Sequence, residues 1–158
     1  LLYQIISQRP DYSFVFTGPE DDIFRRNRIH SLKNAYFTGQ KKVDELPAYI
    51  AAYDVCINPQ MVNKITNGNY PLKIDEYLAM GKPTVATSTH TMRNIFTGHT
   101  HLAINPEEWL AAIDRAVTEA DDKELAKQRI AFAETHSWGH SVKKIYEIID
   151  SFLKKKTT

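Results

Sequence analysis

Pro71-Leu72-Lys73-Ile74-Asp75-Glu76-Tyr77-Leu78-Ala79-Met80-Gly81-Lys82-Pro83-Thr84-Val85-Ala86 reads as a short helix that feeds directly into a buried strand. Pro71 suits the first helical position, and Ile74, Tyr77 and Leu78 recur at the i, i+3, i+4 spacing of one apolar face. Gly81 and Pro83 end the helix. The amides of Leu72, Lys73 and Ile74 are then expected to stand free at the helix start. The backbone dipole there favours negative charge by roughly 0.3–1 kcal/mol per interacting group, and a phosphate is the anion that fits.

Outward from this stretch, runs rich in β-branched and aromatic residues recur at 13–17, 35–38, 54–58, 84–87 and 101–105. Helical-looking sequence separates them, at 21–32, 43–53, 72–80, 91–96 and 106–119, and two further helices follow at 121–136 and 137–155. The alternation predicts a doubly wound α/β domain with a parallel, Rossmann-like sheet. The opening residues, Leu1 to Ile6, read as the end of an amphipathic helix with no initiating methionine, so a segment upstream is expected. Turn chemistry at Gly18-Pro19, Gly39-Gln40, Asn58-Pro59 and Ser88 falls at the strand ends. Ligands of open α/β sheets bind outside the carboxyl edge, so the helix from Leu72 and the loops after Thr17 and Thr38 are expected to converge there. The segment 60–70, with Asn63, Asn67, Gly68 and Asn69, is the expected specificity loop.

A length of 158 residues, 42% hydrophobic and 25% charged, suits a single domain over 1–158 with a sizeable core. A net charge of +1 supplies no broad field for nucleic acid, which is excluded as a partner. Cys56 lies inside the apolar run Asp54-Val55-Cys56-Ile57-Asn58 and reads as a core residue. No apolar stretch approaches the roughly 20 residues of a membrane span and no signal peptide is visible, so a cytoplasmic location is expected. No metal or other cofactor is expected either. There is no Asp-x-Asp triplet, and Trp138-Gly139 between His136 and His140 reads as a helix boundary. His99 and His101 read as exposed or packed. Lys154-Lys155-Lys156 either complements a helix C-terminus or meets anionic lipid at the inner membrane face.

With these parts assembled, the chain resembles the C-terminal, nucleotide-sugar-binding domain of the retaining GT-B glycosyltransferases that build bacterial polysaccharides. The likeness rests on Phe14-Val15-Phe16-Thr17-Gly18, Tyr36-Phe37-Thr38-Gly39, Glu45 to Val55, and above all Asp75 to Ala86. Ser137-Trp138 leading into Ile145-Tyr146 looks like the family's closing helix. The resemblance implies that Glu76 accepts hydrogen bonds from the ribose hydroxyls of a UDP- or GDP-sugar. Lys73, with the amides of Leu72 and Ile74, meets the diphosphate, while Gly39 and Gln40 meet the base and Gly18 lines the neighbouring strand end. Plainer alternatives stay open: a Lys73–Glu76 pair on an exposed helix face, and glycines that merely turn the chain.

The family's pattern places a glutamate eight residues before Glu76, where this sequence has Gly68, which leaves Asn63, Asn67 or Asn69 as replacement partners of the transferred sugar or, equally, as turn residues. The resemblance further implies a first strand with a basic pair, and an N-terminal domain that holds a glycan or lipid-linked acceptor, both upstream of Leu1. Competing readings are an inert sugar-nucleotide-binding module, a nucleotide-sugar 2-epimerase, and a phosphoacceptor receiver domain. Against the last, Lys82-Pro83 precedes its strand rather than ending it.

Overall fold

The computed structural model describes the backbone of residues 1–156 and the side chains of residues 1–154. Five strands form, β1 (Phe14–Thr17), β2 (Ala35–Gly39), β3 (Cys56–Asn58), β4 (Thr84–Thr87) and β5 (His101–Ala103). Every ladder among them is parallel. The helices are α1 (Leu2–Ser7), α2 (Asp22–Arg25), α3 (Leu46–Ala52), α4 (Leu72–Ala79), α5 (His90–Ile95), α6 (Pro106–Thr118), α7 (Lys123–Glu134) and α8 (Trp138–Lys156). Strand and helix alternate as the sequence predicts, and the fold is a Rossmann-like α/β domain.

β4 explains the layering. All four of its residues are buried, which a strand achieves only when both faces of its sheet are covered. Successive side chains point to opposite faces. Val85 accordingly joins a core with Ile5 and Ile6 of α1, Phe14 of β1, and Trp109 and Ile113 of α6. Ala86 joins a second core with Ile74 and Leu78 of α4, Met92 of α5, Phe96 and Ala133 of α7. The buried hydroxyls of β4 are satisfied, Thr84 donating to the Lys82 carbonyl at 3.1 Å and Thr87 accepting the Gln60 amide at 2.7 Å. Cys56 sits in this interior, where burial pushes its thiol up to about 12, as suits an inert core residue.

Three sequence expectations are corrected. The strands form two hydrogen-bonded groups, β1-β2 and β3-β4-β5, with no ladder joining them among the described residues. One helical layer nonetheless serves both, since α1 packs on α6 and on the 3-10 turn Arg28–Ser31 that precedes β2. The helix expected over 21–32 is broken. Asp21 caps α2 by accepting the Phe24 amide, and Asn27 then caps the 3-10 turn through the Ile29 amide, an alternative to continued helix that a short amide side chain offers. The helix expected from residue 43 starts at Leu46, because Pro47 lacks an N–H and is tolerated only in a first turn.

No helix among the described residues is long and apolar enough to cross a membrane. α8 is instead amphipathic and uncovered, with Trp138 at 87% and Tyr146 at 64% exposure.

Two long-range ties lock the periphery. Arg9, after α1, grips Asp114 of α6 through both guanidinium and carboxylate edges, with Nε to Oδ1 at 2.7 Å, and Tyr12 adds a hydrogen bond to the same carboxylate. Arg129 of α7 is buried against Glu119, whose other oxygen meets His101 at 3.1 Å.

Gly81, between α4 and β4, adopts φ +71°, and a Cβ there would lie 3.1 Å from Ala126 Cβ of α7. Gly81→Ala is therefore expected to cost ~2 kcal/mol in urea unfolding, from left-handed strain and crowding together. Gly68→Ala, with ordinary φ and nothing within 4 Å, is expected to stay within ~0.5 kcal/mol of the parent.

A second test uses pH. The hydrogen bond from Arg9, outweighing the opposing effect of burial, holds the Asp114 carboxyl below the ordinary carboxylate range. A depressed native value means that the stabilisation is complete above about pH 4, the unfolded range, and disappears as pH falls through the native one. Asp114→Asn should accordingly flatten the acid limb of the urea midpoint against pH and leave its shape above about pH 5 unchanged.

Candidate functional site

The chain enters α4 through a self-organised loop, 59–71. Asn63 Oδ1 accepts the amides of Ile65 and Thr66 at 2.8 and 2.9 Å, and Asn67 Oδ1 accepts the His90 amide at 2.9 Å, tying the loop to α5. Two of the three asparagines expected to offer sugar contacts are thus turn and cap residues through their carbonyl oxygens. Asn69 makes no side-chain hydrogen bond among the described residues. Gly68 ends a 3-10 turn, Thr66–Gly68, in open space.

α4 begins with Pro71 as its N-cap and has no side-chain cap. The Ile74 amide, expected to be free, donates to the Pro71 carbonyl at 2.9 Å, because an uncapped first turn tightens to satisfy one of its orphan donors. The amides of Leu72 and Lys73 make no hydrogen bond among the described residues. The Ile74 side chain is fully buried in the second core, whereas Leu72 is 69% exposed. One face of the helix therefore anchors it, and its start opens to solvent.

Lys73 and Glu76 are both exposed, and neither forms an ion pair among the described residues. The plain alternative, a Lys73–Glu76 bridge, is not what the structure holds. Three residues apart, they occupy neighbouring positions on the outward face of one turn. They present a cation and an acceptor-only carboxylate beside two unpartnered amides.

The other half of the expected constellation lies on β1 and β2. The Gly18 amide donates to the Gly39 carbonyl at 3.1 Å, closing the ends of the two strands on each other. Gly39 has φ +70°, a conformation that glycine adopts without penalty, and Gln40 beyond it is exposed. The register slips by one residue here, placing Thr17 opposite Gly39. Thr38 Oγ1 then donates to Thr17 Oγ1 at 3.0 Å, and Tyr53, just before β3, meets the same oxygen at 2.6 Å. Gly18, Gly39 and Gln40 thus form one group, and Leu72, Lys73 and Glu76 another. No hydrogen bond or ion pair bridges the two groups among the described residues.

Two cavities of about 340 and 210 Å³ lie elsewhere, against β5, α6 and α7, lined by such residues as His101, Glu108, Arg115 and Arg129. Neither of these cavities is lined by Gly18, Gly39, Gln40, Leu72, Lys73 or Glu76. His136 and His140 do not converge on a metal position, since His136 Nδ1 faces Asp75 at 3.0 Å and His140 Nδ1 faces Ser137 at 3.2 Å. His99 stacks on Phe132, and His101 pairs with Glu119.

Sequence reasoning missed one polar cluster at this helix. Asp75, in the first turn of α4, accepts the Tyr70 hydroxyl on Oδ2 at 2.6 Å and faces His136, just past α7, on Oδ1 at 3.0 Å. The Tyr70–Asp75 spacing was visible in the sequence. The His136 arm, 61 residues away, was not.

Residues 2–119 match the family model described as glycosyl transferases group 1. A putative teichuronic acid biosynthesis glycosyltransferase, TuaH of Bacillus subtilis (strain 168), is 28% identical over 137 residues, covering 83% of this chain and 34% of that protein. The chain thus spans about a third of the length of that curated relative.

Proposed function

From its membership of the group 1 glycosyl transferases, we propose that this chain is the donor-binding domain of an enzyme that moves a sugar from a nucleoside-diphosphate sugar, UDP- or GDP-linked, to a glycan or lipid-linked acceptor in polysaccharide biosynthesis. The observation that carries the reading is the start of α4, where the unpartnered amides of Leu72 and Lys73 stand beside the unpaired Lys73 ammonium and Glu76 carboxylate. The biosynthetic setting is supported by the name of the Bacillus relative.

The chemistry follows from charge. Departure of a nucleoside diphosphate from an anomeric carbon gathers negative charge on the leaving phosphate. Helix-start amides and a lysine concentrate positive potential there, and each 1.36 kcal/mol of stabilisation confined to the transition state is worth about tenfold in rate. Glu76, one turn along, accepts the ribose hydroxyls, and Gly39 and Gln40 take the base, with Gly18 beside them. The acceptor lies on an N-terminal domain, and a first strand precedes α1. The unjoined edges of the β1-β2 and β3-β4-β5 groups support such a strand.

A cytoplasmic enzyme, peripheral to the inner membrane face, is the location that we infer. The exposed Trp138, Ile145 and Ile148 of α8, with its Lys143 and Lys144, support a surface contact of that kind. The side chains of Lys155 and Lys156 lie outside the described residues.

One observation favours a second reading, a sugar-nucleotide-binding module without transfer activity: Gly68 carries no carboxylate where the family pattern has one. A transfer assay on the longest native polypeptide that carries this sequence separates the two.

Calorimetric titration of the same polypeptide with UDP, GDP and ADP tests the donor site. One of them should bind more tightly than its unphosphorylated nucleoside, and Glu76→Ala should weaken it about tenfold or more, as expected for a hydrogen bond to a charged acceptor. Lys73→Ala should weaken it too, by a factor that shrinks as salt is raised. Unchanged affinity in Glu76→Ala would remove the ribose assignment. A preference for nucleosides over diphosphates would remove the phosphate site.

A further inference from the structure

We propose that Asp75 is a positioning residue for donor binding, holding both the chain that enters α4 and the end of α7 with its two carboxylate oxygens, so that the Leu72 and Lys73 amides keep their aim at the ligand. The inference rests on the donor-site reading above.

Counted from the N-cap Pro71, Tyr70 is the residue before the cap and Asp75 the fourth residue of the helix. In many helices these two positions carry apolar side chains that pack together and fix the angle at which the chain enters the helix. Here the same pair is joined by a hydrogen bond, Tyr70 hydroxyl to Asp75 Oδ2 at 2.6 Å. The ring of Tyr70 rests on the fully buried Phe96, with centroids 5.6 Å apart, which limits its freedom to swing away. Burial and the hydrogen bond to Asp75 both raise the Tyr70 phenol above its ordinary range, so it stays protonated as a donor.

The second arm is His136. Its Nδ1 lies 3.0 Å from Asp75 Oδ1, and its ring stands edge-on to Phe132 and Phe96, at 4.6 and 5.8 Å between centroids. Both oxygens of Asp75 are thereby engaged, one by the residue before the N-cap and one by the residue just past α7. Tyr70 and His136 together fix the Asp75 carboxylate, and with it the angle at which the chain enters α4.

Tyr70→Phe removes one hydroxyl and keeps the ring packing, so the fold should survive. The test compares UDP and GDP with uridine and guanosine by calorimetry on the wild type, Tyr70→Phe, His136→Gln, Asp75→Asn and the Tyr70→Phe/Asp75→Asn double variant. The expected result is a loss of about five- to tenfold in diphosphate affinity for Tyr70→Phe and for His136→Gln, with nucleoside affinity unchanged. The double variant should be no weaker than Asp75→Asn, because Tyr70 acts through that carboxylate. A purely structural role would lower the melting temperature without changing the ratio of diphosphate to nucleoside affinity. Tyr70→Phe that is folded and binds diphosphate as the wild type does would overturn the proposal. A wild type that binds diphosphates no better than nucleosides would instead overturn the donor site itself, and this proposal with it.

Discussion

Burial of β4 on both faces is the constraint from which the rest of the domain follows. A strand with Thr84, Val85, Ala86 and Thr87 all inaccessible needs helices above and below it. Val85 and Ala86, pointing opposite ways, seed the two cores. α4 supplies Ile74 and Leu78 to the second of these, and that anchorage fixes its rotation about its own axis. With Ile74 and Leu78 turned inward, Lys73 and Glu76 are left outward on the same turn. The orientation of the candidate donor residues is therefore a by-product of core packing.

The polar side of the molecule follows a similar economy. Hydroxyls and amides close to the strand ends are engaged by one another: Thr17 with Thr38 and Tyr53, Thr87 with Gln60, Asn67 with His90. Against that background of satisfied groups, the bare amides of Leu72 and Lys73 are conspicuous because the turn beside them tightens to satisfy Ile74 alone. An exposed helix start can be solvated by water, so its form carries no stability penalty that demands a ligand. Its chemical company, an unpaired lysine and an unpaired carboxylate, gives it recognition value.

Much of the fold was legible because its signals are local. Four of the five strands lie within the expected runs and β2 overruns its run by one residue, to Gly39, since Val, Ile, Phe, Tyr and Thr cluster there and little else competes. Helix limits were read less well where a single side chain altered the local balance, as Asn27 did by capping a new turn and Pro47 by delaying α3. The division of the strands into two hydrogen-bonded groups depends on which edges meet in space, and no periodicity records that. The site was legible in the same uneven way. The exposed start of α4 followed from helix geometry and Glu76 from the resemblance, whereas the local tightening that engages the Ile74 amide was not foreseen and the His136 arm of Asp75 is a product of tertiary placement.

The close contact behind α4 carries an implication for how this sequence can vary. Gly81 and Ala126 meet where even one added methyl group lies 3.1 Å from its neighbour, so the seam between α4 and α7 is matched in size to the atom. Substitutions at either position are tolerated only if the other gives way, and lineages that enlarge one should shrink or shift its counterpart. Sequence drift around α4 is consequently channelled to its solvent side, where new side chains meet no such wall.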